Sequence, residues 1–288
     1  MKPTPSFTLS WSRYTLPLSR RTHVMGVINV TPDSFSDGGL FFEKEKAVEQ
    51  ALRLSEDGAD LIDIGGESTR PYSKGISAEE EMRRVIPVIE TLQKHLRIPI
   101  SIDTLKAQVA REALRAGAAM VNDISALRSD PEMVSVVAEA GVPVILMHMK
   151  GTPADMQVHP VYDDVAGEII LFLQKAMAQA VRNGVRRDLI LVDPGIGFGK
   201  TFDHNLQILK DLGRFQCLEA PLVVGSSRKA FIGRILGKEA PERDTGTMAT
   251  VAAAVMNGAH VVRVHNVKQA VETVKVMDAI KRGKIEGA

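Results

Sequence analysis

The feature that most constrains the fold is a repeat of eight short apolar runs, each followed by a longer amphipathic stretch. The runs are rich in valine and isoleucine and nearly free of polar residues, a pattern typical of parallel strands buried on both faces. The stretches between them carry helix signals, such as Ser77 followed by Glu80 and the apolar face of residues 43–57. The predicted strands are residues 24–30, 60–64, 98–102, 119–123, 142–147, 189–192, 222–224 and 260–264.

Eight alternating strand and helix units favour a closed α/β barrel, the (β/α)₈ or TIM barrel, over an open doubly wound sheet, which usually has fewer strands. A polar residue ends or follows nearly every predicted strand. In a barrel these positions converge on one mouth, where the active sites of this fold lie, whereas an open sheet would scatter them. The polar residues are Asn29, Glu67, Asp103, Asn122, His148, Asp193, Arg228 and His265.

The segment before the first barrel strand contains two short β-like pieces, residues 7–11 and 14–18. We expect them to form a β-hairpin that plugs the bottom of the barrel, at its N-terminal end. The predicted domains are therefore residues 1–22, an N-terminal extension with the hairpin, and residues 23–288, one barrel domain. The length of 288 residues agrees with the roughly 250 residues typical of a single barrel of this kind.

Charge and cysteine content exclude several classes of partner. The chain has 36 Lys plus Arg against 35 Asp plus Glu, so no overall field attracts nucleic acid or an acidic membrane, and any anion site must be local. Charged residues interrupt every apolar run before it reaches the roughly 18 residues that a membrane span needs. The single cysteine, Cys217, cannot form an internal disulfide, and the first residues lack a secretory signal, so we expect a cytoplasmic protein.

Two connections, residues 31–42 and 65–75, are longer than is usual, and long loops at a barrel mouth are often lids or binding loops. The sequence MGVINVTPDSFSDGG places Asn29 at the start of the first loop. The sequence DIGGESTRP brings Thr69 and Arg70, which suit an anion, into the second. Taken alone, a capped turn explains the first sequence equally well, and a solvated surface arginine explains the second better.

The sequence DPGIGFGKT ends in a Gly-Lys-Thr triplet that resembles the tail of a phosphate-binding P-loop. The spacing argues against that interpretation, because the motif needs a glycine where this chain has Pro194. Asp193 instead ends a strand before a glycine-rich turn. Its carboxylate can accept hydrogen bonds from a ligand there, or it can cap a helix.

The last two strands end in GSSRK and RVHNV. The first sequence places backbone N–H groups and two cations where an anion or a carbonyl could bind. In the second, Arg263 and His265 point to the same side of the strand, and an arginine inside the barrel needs an anionic partner, such as an interior aspartate. The chain lacks the Cys/His spacing of a zinc site and a compelling Ser/His/Asp order, so a zinc enzyme and acyl transfer are both disfavoured.

Taken together, these segments resemble the signatures of the dihydropteroate synthase family of pterin-binding enzymes, in order and over nearly the whole chain. After the two long N-terminal signatures come SIDT, VNDIS, MHMKGTP, DPGIGFGK, GSSRKAFIG and RVHNV. The resemblance implies a (β/α)₈ barrel, usually a homodimer, that joins 6-hydroxymethyl-7,8-dihydropterin pyrophosphate to 4-aminobenzoate in folate biosynthesis. It also implies that sulfonamides compete for the aminobenzoate site.

The resemblance implies a set of site residues as well. Those expected to bind the pterin are Asp103, Asn122, Asp193, Lys229 and Arg263. Those expected to bind pyrophosphate, with Mg²⁺ on the first of them, are Asn29, Thr69, Arg70, Arg263 and His265. Those expected to bind aminobenzoate are Phe35, Ser36, Thr69, Pro71, Lys229 and Ala230. The implied catalytic residues are Asn29, Asp37, Arg70, Lys229, Arg263 and His265.

The family resemblance implies a dissociative displacement, in which the C–O bond to pyrophosphate breaks first and leaves a resonance-stabilised pterin cation. Carboxylates beside the ring would favour this cation, while Mg²⁺ and basic side chains would stabilise the departing anion. Ala230 stands where relatives often have serine, so backbone N–H groups would have to contact the aminobenzoate carboxylate.

Two alternatives remain at this point, a pterin-binding methyltransferase barrel and a catalytically inactive pterin-binding paralogue. Methyl transfer gives no evident task to the predicted pyrophosphate residues. The paralogue would be indicated by loss of one of the N-terminal loop sequences, and both are intact.

Overall fold

The computed structural model describes residues 7–31, 39–69, 73 and 75–285, and for residues 39–43 it describes the backbone alone. Within these ranges, each of the eight predicted runs forms a strand whose ends differ from the prediction by at most two residues. The strands are β1 (Leu9–Trp11), β2 (Tyr14–Leu16), β3 (His23–Asn29), β4 (Leu61–Gly65), β5 (Ile100–Asp103), β6 (Met120–Asp123), β7 (Val144–Met147), β8 (Ile190–Asp193), β9 (Val223–Val224) and β10 (Val261–Val264).

Strands β3 to β10 form one parallel sheet in the order β8-β7-β6-β5-β4-β3-β10-β9. The two outer strands of that order also meet, through a parallel bridge between Val192 and Leu222. Beside this bridge, the backbone N–H of Val192 donates to the carbonyl oxygen of Pro221 over 2.9 Å. The sheet therefore closes on itself, and the predicted (β/α)₈ barrel is confirmed.

Helices alternate with the strands and cover the outside of the barrel. Apolar side chains fill the layer between strands and helices, and in the second helix Val85, Val88 and Ile89 are fully buried there. None of the described helices combines the length and the apolar composition that crossing a bilayer requires. The helices are α1 (Gly39–Glu56), α2 (Ala78–His95), α3 (Ala107–Ala116), α4 (Met133–Ala140), α5 (Val165–Arg182), α6 (Phe202–Lys210), α7 (Ala230–Leu236), α8 (Asp244–Met256) and α9 (Val267–Arg282).

The strands β1 and β2 form the predicted antiparallel hairpin. Trp11, on β1, is buried and donates from Nε1 to the carbonyl oxygen of Ala119 over 2.7 Å. The hairpin therefore covers the N-terminal end of the barrel, because it packs against residues near the start of the barrel strands. Those residues include Met25, Leu61, Met120, Val223 and Val261.

The barrel interior changes from apolar to polar along the strands. Side chains two residues apart on a strand point to the same side, so each residue that packs on the hairpin is followed by an inward-facing residue nearer the C-terminal end. In four strands this second residue is charged or an amide. The pairs are Leu61 and Asp63, Met120 and Asn122, Leu191 and Asp193, and Val261 and Arg263.

Candidate active site

A cavity opens at the C-terminal ends of the strands. It brings together residues from seven of the eight barrel strands or the segments directly after them. Six of the residues that the sequence predicts for the site are among its lining residues. The lining consists of Thr69, Asp103, Asn122, Ile124, Met147, Asp193, Ile196, Phe198, Gly225, Lys229 and Arg263.

Arg263 joins two carboxylates inside this mouth. Its Nε donates to Asp63 Oδ2 over 2.6 Å, and its Nη2 donates to Asp103 Oδ2 over 2.8 Å. Asp63 Oδ2 also accepts from Asn122 Nδ2 over 3.0 Å. The expectation that an interior arginine needs an anionic partner is confirmed, and these contacts hold Arg263, Asp103 and Asn122 in one network.

Both predicted pterin carboxylates are buried, and burial disfavours their charged forms. Burial raises the pKa of Asp103 to about 7, although Arg263 opposes the shift. Burial likewise raises the pKa of Asp193 to about 6, although the N–H of Gly195 and the nearby cations oppose it. Each carboxyl group therefore titrates close to neutral pH in the free protein, as is common for groups in functional sites.

Lys229 lies directly before α7, and its ammonium points back into the cavity. Its Nζ lies 4.1 Å from the centroid of the Phe198 ring, a cation–π contact. Burial and the neighbouring Arg263 lower its pKa to about 8, against the opposite influence of Asp193 and Asp103. A partly desolvated cation thus lies opposite the carboxylates.

The segment after β8 folds tightly enough to bring Phe198 into the cavity. Gly195, Gly197 and Gly199 all have positive φ, so every second residue of this segment has a left-handed backbone conformation. A Cβ atom on Gly195 would lie 1.9 Å from the carbonyl oxygen of His148, so only glycine fits there. The glycines that resemble part of a P-loop therefore allow the loop after β8 to pack closely against the loop after β7.

The family model described as pterin binding enzyme matches residues 25–265. The dihydropteroate synthase of Synechocystis sp. is 48% identical over 264 residues, which are 91% of this chain and 91% of that protein. The chain belongs to the dihydropteroate synthase family. It is accordingly a transferase of folate biosynthesis, and the predicted resemblance is confirmed.

Solved dihydropteroate synthases have the same fold as this chain. The enzyme of Yersinia pestis, in a sulfonamide drug complex, superposes with a TM-score of 0.91 at 43% identity, covering 96% of this chain and 100% of that one. The enzyme of Xanthomonas albilineans, in complex with 7,8-dihydropteroate, gives 0.86 at 43% identity, covering 95% and 98%.

Three further residues that the sequence predicts for the dihydropteroate synthase site do not line the cavity. Asn29 ends β3 in register with Gly65, which is itself in register with Asp103, so the Asn29 side chain lies in the same row at the mouth. His265 follows β10, and its Nδ1 lies 2.9 Å from Ser227 Oγ. Ala230 is the exposed first residue of α7.

His265 is neutral in the free protein at neutral pH, because burial and the neighbouring Arg263 lower its pKa to about 3. Ser227 Oγ accepts the backbone N–H of His265 over 3.2 Å, so its own proton is available for Nδ1. In that arrangement the other ring nitrogen of His265 carries the proton and can donate to a ligand.

Some of the polar residues that end or follow strands at the mouth pair with other side chains and do not line the cavity. Arg228 donates to Asp244 over 2.8 and 3.0 Å, which corrects the prediction that both cations of GSSRK face an anion. Glu67 pairs with Lys106, and His148 contacts Lys200. This contact gives His148 a structural role.

The remaining predicted residues, Phe35, Ser36, Asp37, Arg70 and Pro71, lie outside the described residues. Sequence analysis missed Asp63, Phe198 and Lys200 as parts of the site. For Asp63 a signal existed, since it is a lone acid within the apolar run Leu61–Gly65 and shares the inward side of that strand with Leu61. For Phe198 and Lys200 no signal existed, because their placement depends on how the loop folds.

Proposed function

We propose that this cavity is where the chain joins 6-hydroxymethyl-7,8-dihydropterin pyrophosphate to 4-aminobenzoate, giving 7,8-dihydropteroate and pyrophosphate. The observation that carries the proposal is the convergence of Asp103, Asn122 and Asp193 with Lys229 and Arg263 around one space. The relative from Xanthomonas albilineans holds 7,8-dihydropteroate, the product of this reaction.

The polar groups of the cavity match the edge of a pterin. A pterin presents amino and ring N–H donors, which the oxygens of Asp193 and the amide oxygen of Asn122 can accept. Lys229 can donate to the pterin carbonyl. Asp103 and Arg263 lie beside them, joined by their hydrogen bond of 2.8 Å, and the planar guanidinium of Arg263 suits contact with the face of a flat ring.

The pyrophosphate site is proposed on the outer side of the same mouth. Thr69 lines the cavity, while Asn29 ends β3 and His265 directly follows the neighbouring strand β10. Thr69 and His265 would donate hydrogen bonds to phosphate oxygens, and Arg70 would supply a positive charge. Arg263 already donates from Nε and Nη2 to carboxylates, but its remaining N–H groups can reach an anion.

Asn29 fits a role as the protein ligand of Mg²⁺. Its side chain is half-buried at the end of β3 and makes no hydrogen bond to another described residue, so its amide oxygen is available. Among the described residues no group of three His, Cys, Asp or Glu side chains could form a metal site without the substrate. Mg²⁺ commonly binds few protein oxygens together with phosphates and water, and when bound here it would neutralise charge on pyrophosphate.

The proposed reaction is dissociative. The C–O bond between the pterin methylene and pyrophosphate breaks, and its electron pair leaves with pyrophosphate. Charged Asp103 and Asp193 then stabilise the pterin cation that remains, because fixed charges act strongly in a buried site. The amino group of 4-aminobenzoate attacks the methylene carbon and loses a proton to solvent or to the departing pyrophosphate.

The aminobenzoate would bind where the two long loops meet the cavity. Phe35, Ser36, Asp37 and Pro71, on those loops, would close over the amine and exclude water, which could otherwise capture the cation. Thr69 and Lys229 would border this space from below. The carboxylate would meet the backbone N–H groups at Ala230 and the residues after it, at the start of α7.

We also propose that the protein is a cytoplasmic homodimer. Val276 and Ile280 lie one turn apart on α9 and are more than half exposed, at 59% and 58%. Apolar side chains at this spacing are suited to a subunit interface. The lone cysteine, Cys217, is exposed as a free thiol, which favours a reducing compartment.

The decisive experiment incubates the protein with the pterin pyrophosphate, 4-aminobenzoate and Mg²⁺ and measures pyrophosphate release with and without the amine. We expect amine-dependent release matched by formation of dihydropteroate. Pterin binding without pyrophosphate release would instead identify an inactive paralogue. Absence of both would contradict the proposal.

A further inference from the structure

Lys200 is a buried lysine that the proposed chemistry does not use. Its side chain is 1% exposed, and no carboxylate of a described residue lies within 4.0 Å of its ammonium. The ammonium contacts His148 Nδ1 at 3.0 Å and donates to the carbonyl oxygen of Phe198 at 2.9 Å. Burying a cation without an acid is costly, and here it lowers the pKa of Lys200 to about 7.

His148 fits the role of acceptor for this lysine. Burial and the nearby Lys200 lower the pKa of His148 to about 2, so the ring is neutral and Nδ1 can accept. The ring is fixed from the other side by an edge contact with Phe172, whose ring centroid is 4.8 Å away. Lys200 is therefore attached to a rigid point outside the loop that it belongs to.

The residue that Lys200 holds is one that faces the proposed pterin. The carbonyl oxygen of Phe198 accepts from Lys200, while the ring of Phe198 lines the cavity and lies beneath the ammonium of Lys229. Glycines with positive φ, Gly197 and Gly199, flank Phe198 on both sides. Glycines restrict the backbone little, so the orientation of the ring depends on the hydrogen bonds at Phe198, which are the one from Lys200 and the one from its own N–H to the carbonyl oxygen of Gly195 at 3.1 Å.

We propose that Lys200 is a positioning residue that fixes Phe198 in the pterin pocket, so that its ring faces both the pterin and Lys229. The proposal rests on the proposed function, since it takes this cavity to be the pterin site. It explains why a lysine occupies a fully buried position where an apolar side chain would be less costly.

A double-mutant cycle tests the proposal, with Lys200→Met, Phe198→Leu and the double variant. Calorimetry with the pterin pyrophosphate and Mg²⁺ gives the Kd of each. We expect Lys200→Met to weaken binding about 5–10-fold, the range of one net hydrogen bond, and to have almost no further effect when Phe198 is already leucine. Additive effects, or an unchanged Kd in Lys200→Met, would overturn the proposal.

Two controls separate positioning from general support of the loop. Tyr162→Phe removes a different anchor, the 2.7 Å hydrogen bond from Tyr162 Oη to the carbonyl oxygen of Gly199. We expect it to change the Kd less than twofold, and a loss equal to that of Lys200→Met would refute a specific role for Lys200. The melting temperature of Lys200→Met should equal or exceed that of the wild type, because a costly buried charge is gone.

If Lys200→Met does not fold, Lys200→Gln replaces it, and we expect the same non-additivity with Phe198→Leu. Failure of the wild type to bind the pterin pyrophosphate would contradict the proposed function itself. Wild-type binding together with an additive cycle would contradict only the role of Lys200.

Discussion

At the scale of single residues, the site concentrates groups that are costly to bury. Asp193 is 5% exposed, and its carboxyl has no cation within 4.0 Å among the described residues. Its pKa of about 6 means that the protein pays for holding its charge at neutral pH. Such a cost is expected where a carboxylate is kept for a ligand, because the donors of the ligand supply what the protein lacks.

We predict that Asp193→Asn stabilises the free protein at pH 8 and weakens its binding of the pterin pyrophosphate. In the unfolded chain an aspartate has a pKa near 3.9, lower than the value of about 6 in the folded protein. As the pH rises from about 4 to 6, the unfolded chain loses this proton first, so the wild type loses stability, by about 1–3 kcal/mol in all. Asparagine avoids that loss.

Thermal unfolding of both proteins between pH 4 and 8 measures this effect. The difference in melting temperature should grow up to about pH 6 and then stay constant. Calorimetry should show weaker pterin binding by the variant, because one acceptor oxygen becomes a donor that faces ligand donors. Wild-type affinity in Asp193→Asn would remove this residue from the proposed pterin site.

Sequence patterns predicted those site residues whose position is fixed by a strand. Asp103, Asn122, Asp193 and Arg263 lie on strands, where a two-residue period determines the inward side. Lys200 could not be predicted, because its partners come from segments 52 and two residues away and depend on the fold of the loop. The roles of polar residues that follow the end of a strand were equally hard to predict, because they too depend on the fold of the loop.

At the scale of elements, the loop after β8 depends on glycine for its shape. We predict that Gly195→Ala abolishes activity, because the added Cβ would lie 1.9 Å from the carbonyl oxygen of His148 and would displace the loop that carries Phe198. The matched control is Gly141→Ala at the end of α4. Gly141 also has positive φ, but a Cβ there would meet no atom within 4 Å.

Steady-state kinetics and thermal unfolding of both variants test this prediction. Gly141→Ala should cost about 1 kcal/mol of stability from the left-handed backbone alone and should keep full activity. Gly195→Ala should lose activity even under conditions where it remains folded. Equal activity of the two variants would show that the contact between the loops does not shape the site.

The hairpin of β1 and β2 is an element whose contribution is expected to be stability alone. We predict that Trp11→Ala lowers the free energy of unfolding by about 3–5 kcal/mol, because a buried ring and its hydrogen bond to Ala119 are lost. Trp11→Phe keeps most of the ring and should cost about 1–3 kcal/mol. Urea denaturation measures both values. A kcat that fell in parallel with stability would contradict the separation of the hairpin from the site.

The boundaries of these elements were predictable because length and period separate strand from helix in this chain. The apolar runs are short, and the stretches between them are long enough for helices of up to 18 residues. The two-residue strand β9 was predictable only as part of the repeat, since alone it has no period. Likewise, the bridge between Val192 and Leu222 that closes the barrel was predictable only because eight strands favour a closed barrel, since neither residue alone indicates it.

At the scale of the whole molecule, the barrel separates stability from chemistry along its axis. The N-terminal end is apolar and closed by the hairpin, so the burial there stabilises the fold. The C-terminal end holds carboxylates, cations and an amide, and burial shifts the pKa values of Asp103, Asp193 and Lys229 there. One continuous ring of strands supports both ends, so the mouth can carry costly groups that the closed end compensates.

This separation predicts that variants at the mouth lose turnover and stay folded. Lys229→Ala should lower kcat by about 10²-fold or more, since a desolvated cation at the proposed pterin site is lost, and Arg70→Ala should do the same, since the charge proposed to stabilise the leaving anion is lost. Because burial lowers the pKa of Lys229 to about 8, its removal should leave the melting temperature unchanged or higher. Circular dichroism and pyrophosphate release measure the two properties on the same samples. A variant of either residue with unchanged turnover would remove that residue from the proposed machinery, and one that unfolded would show that the mouth also stabilises the barrel.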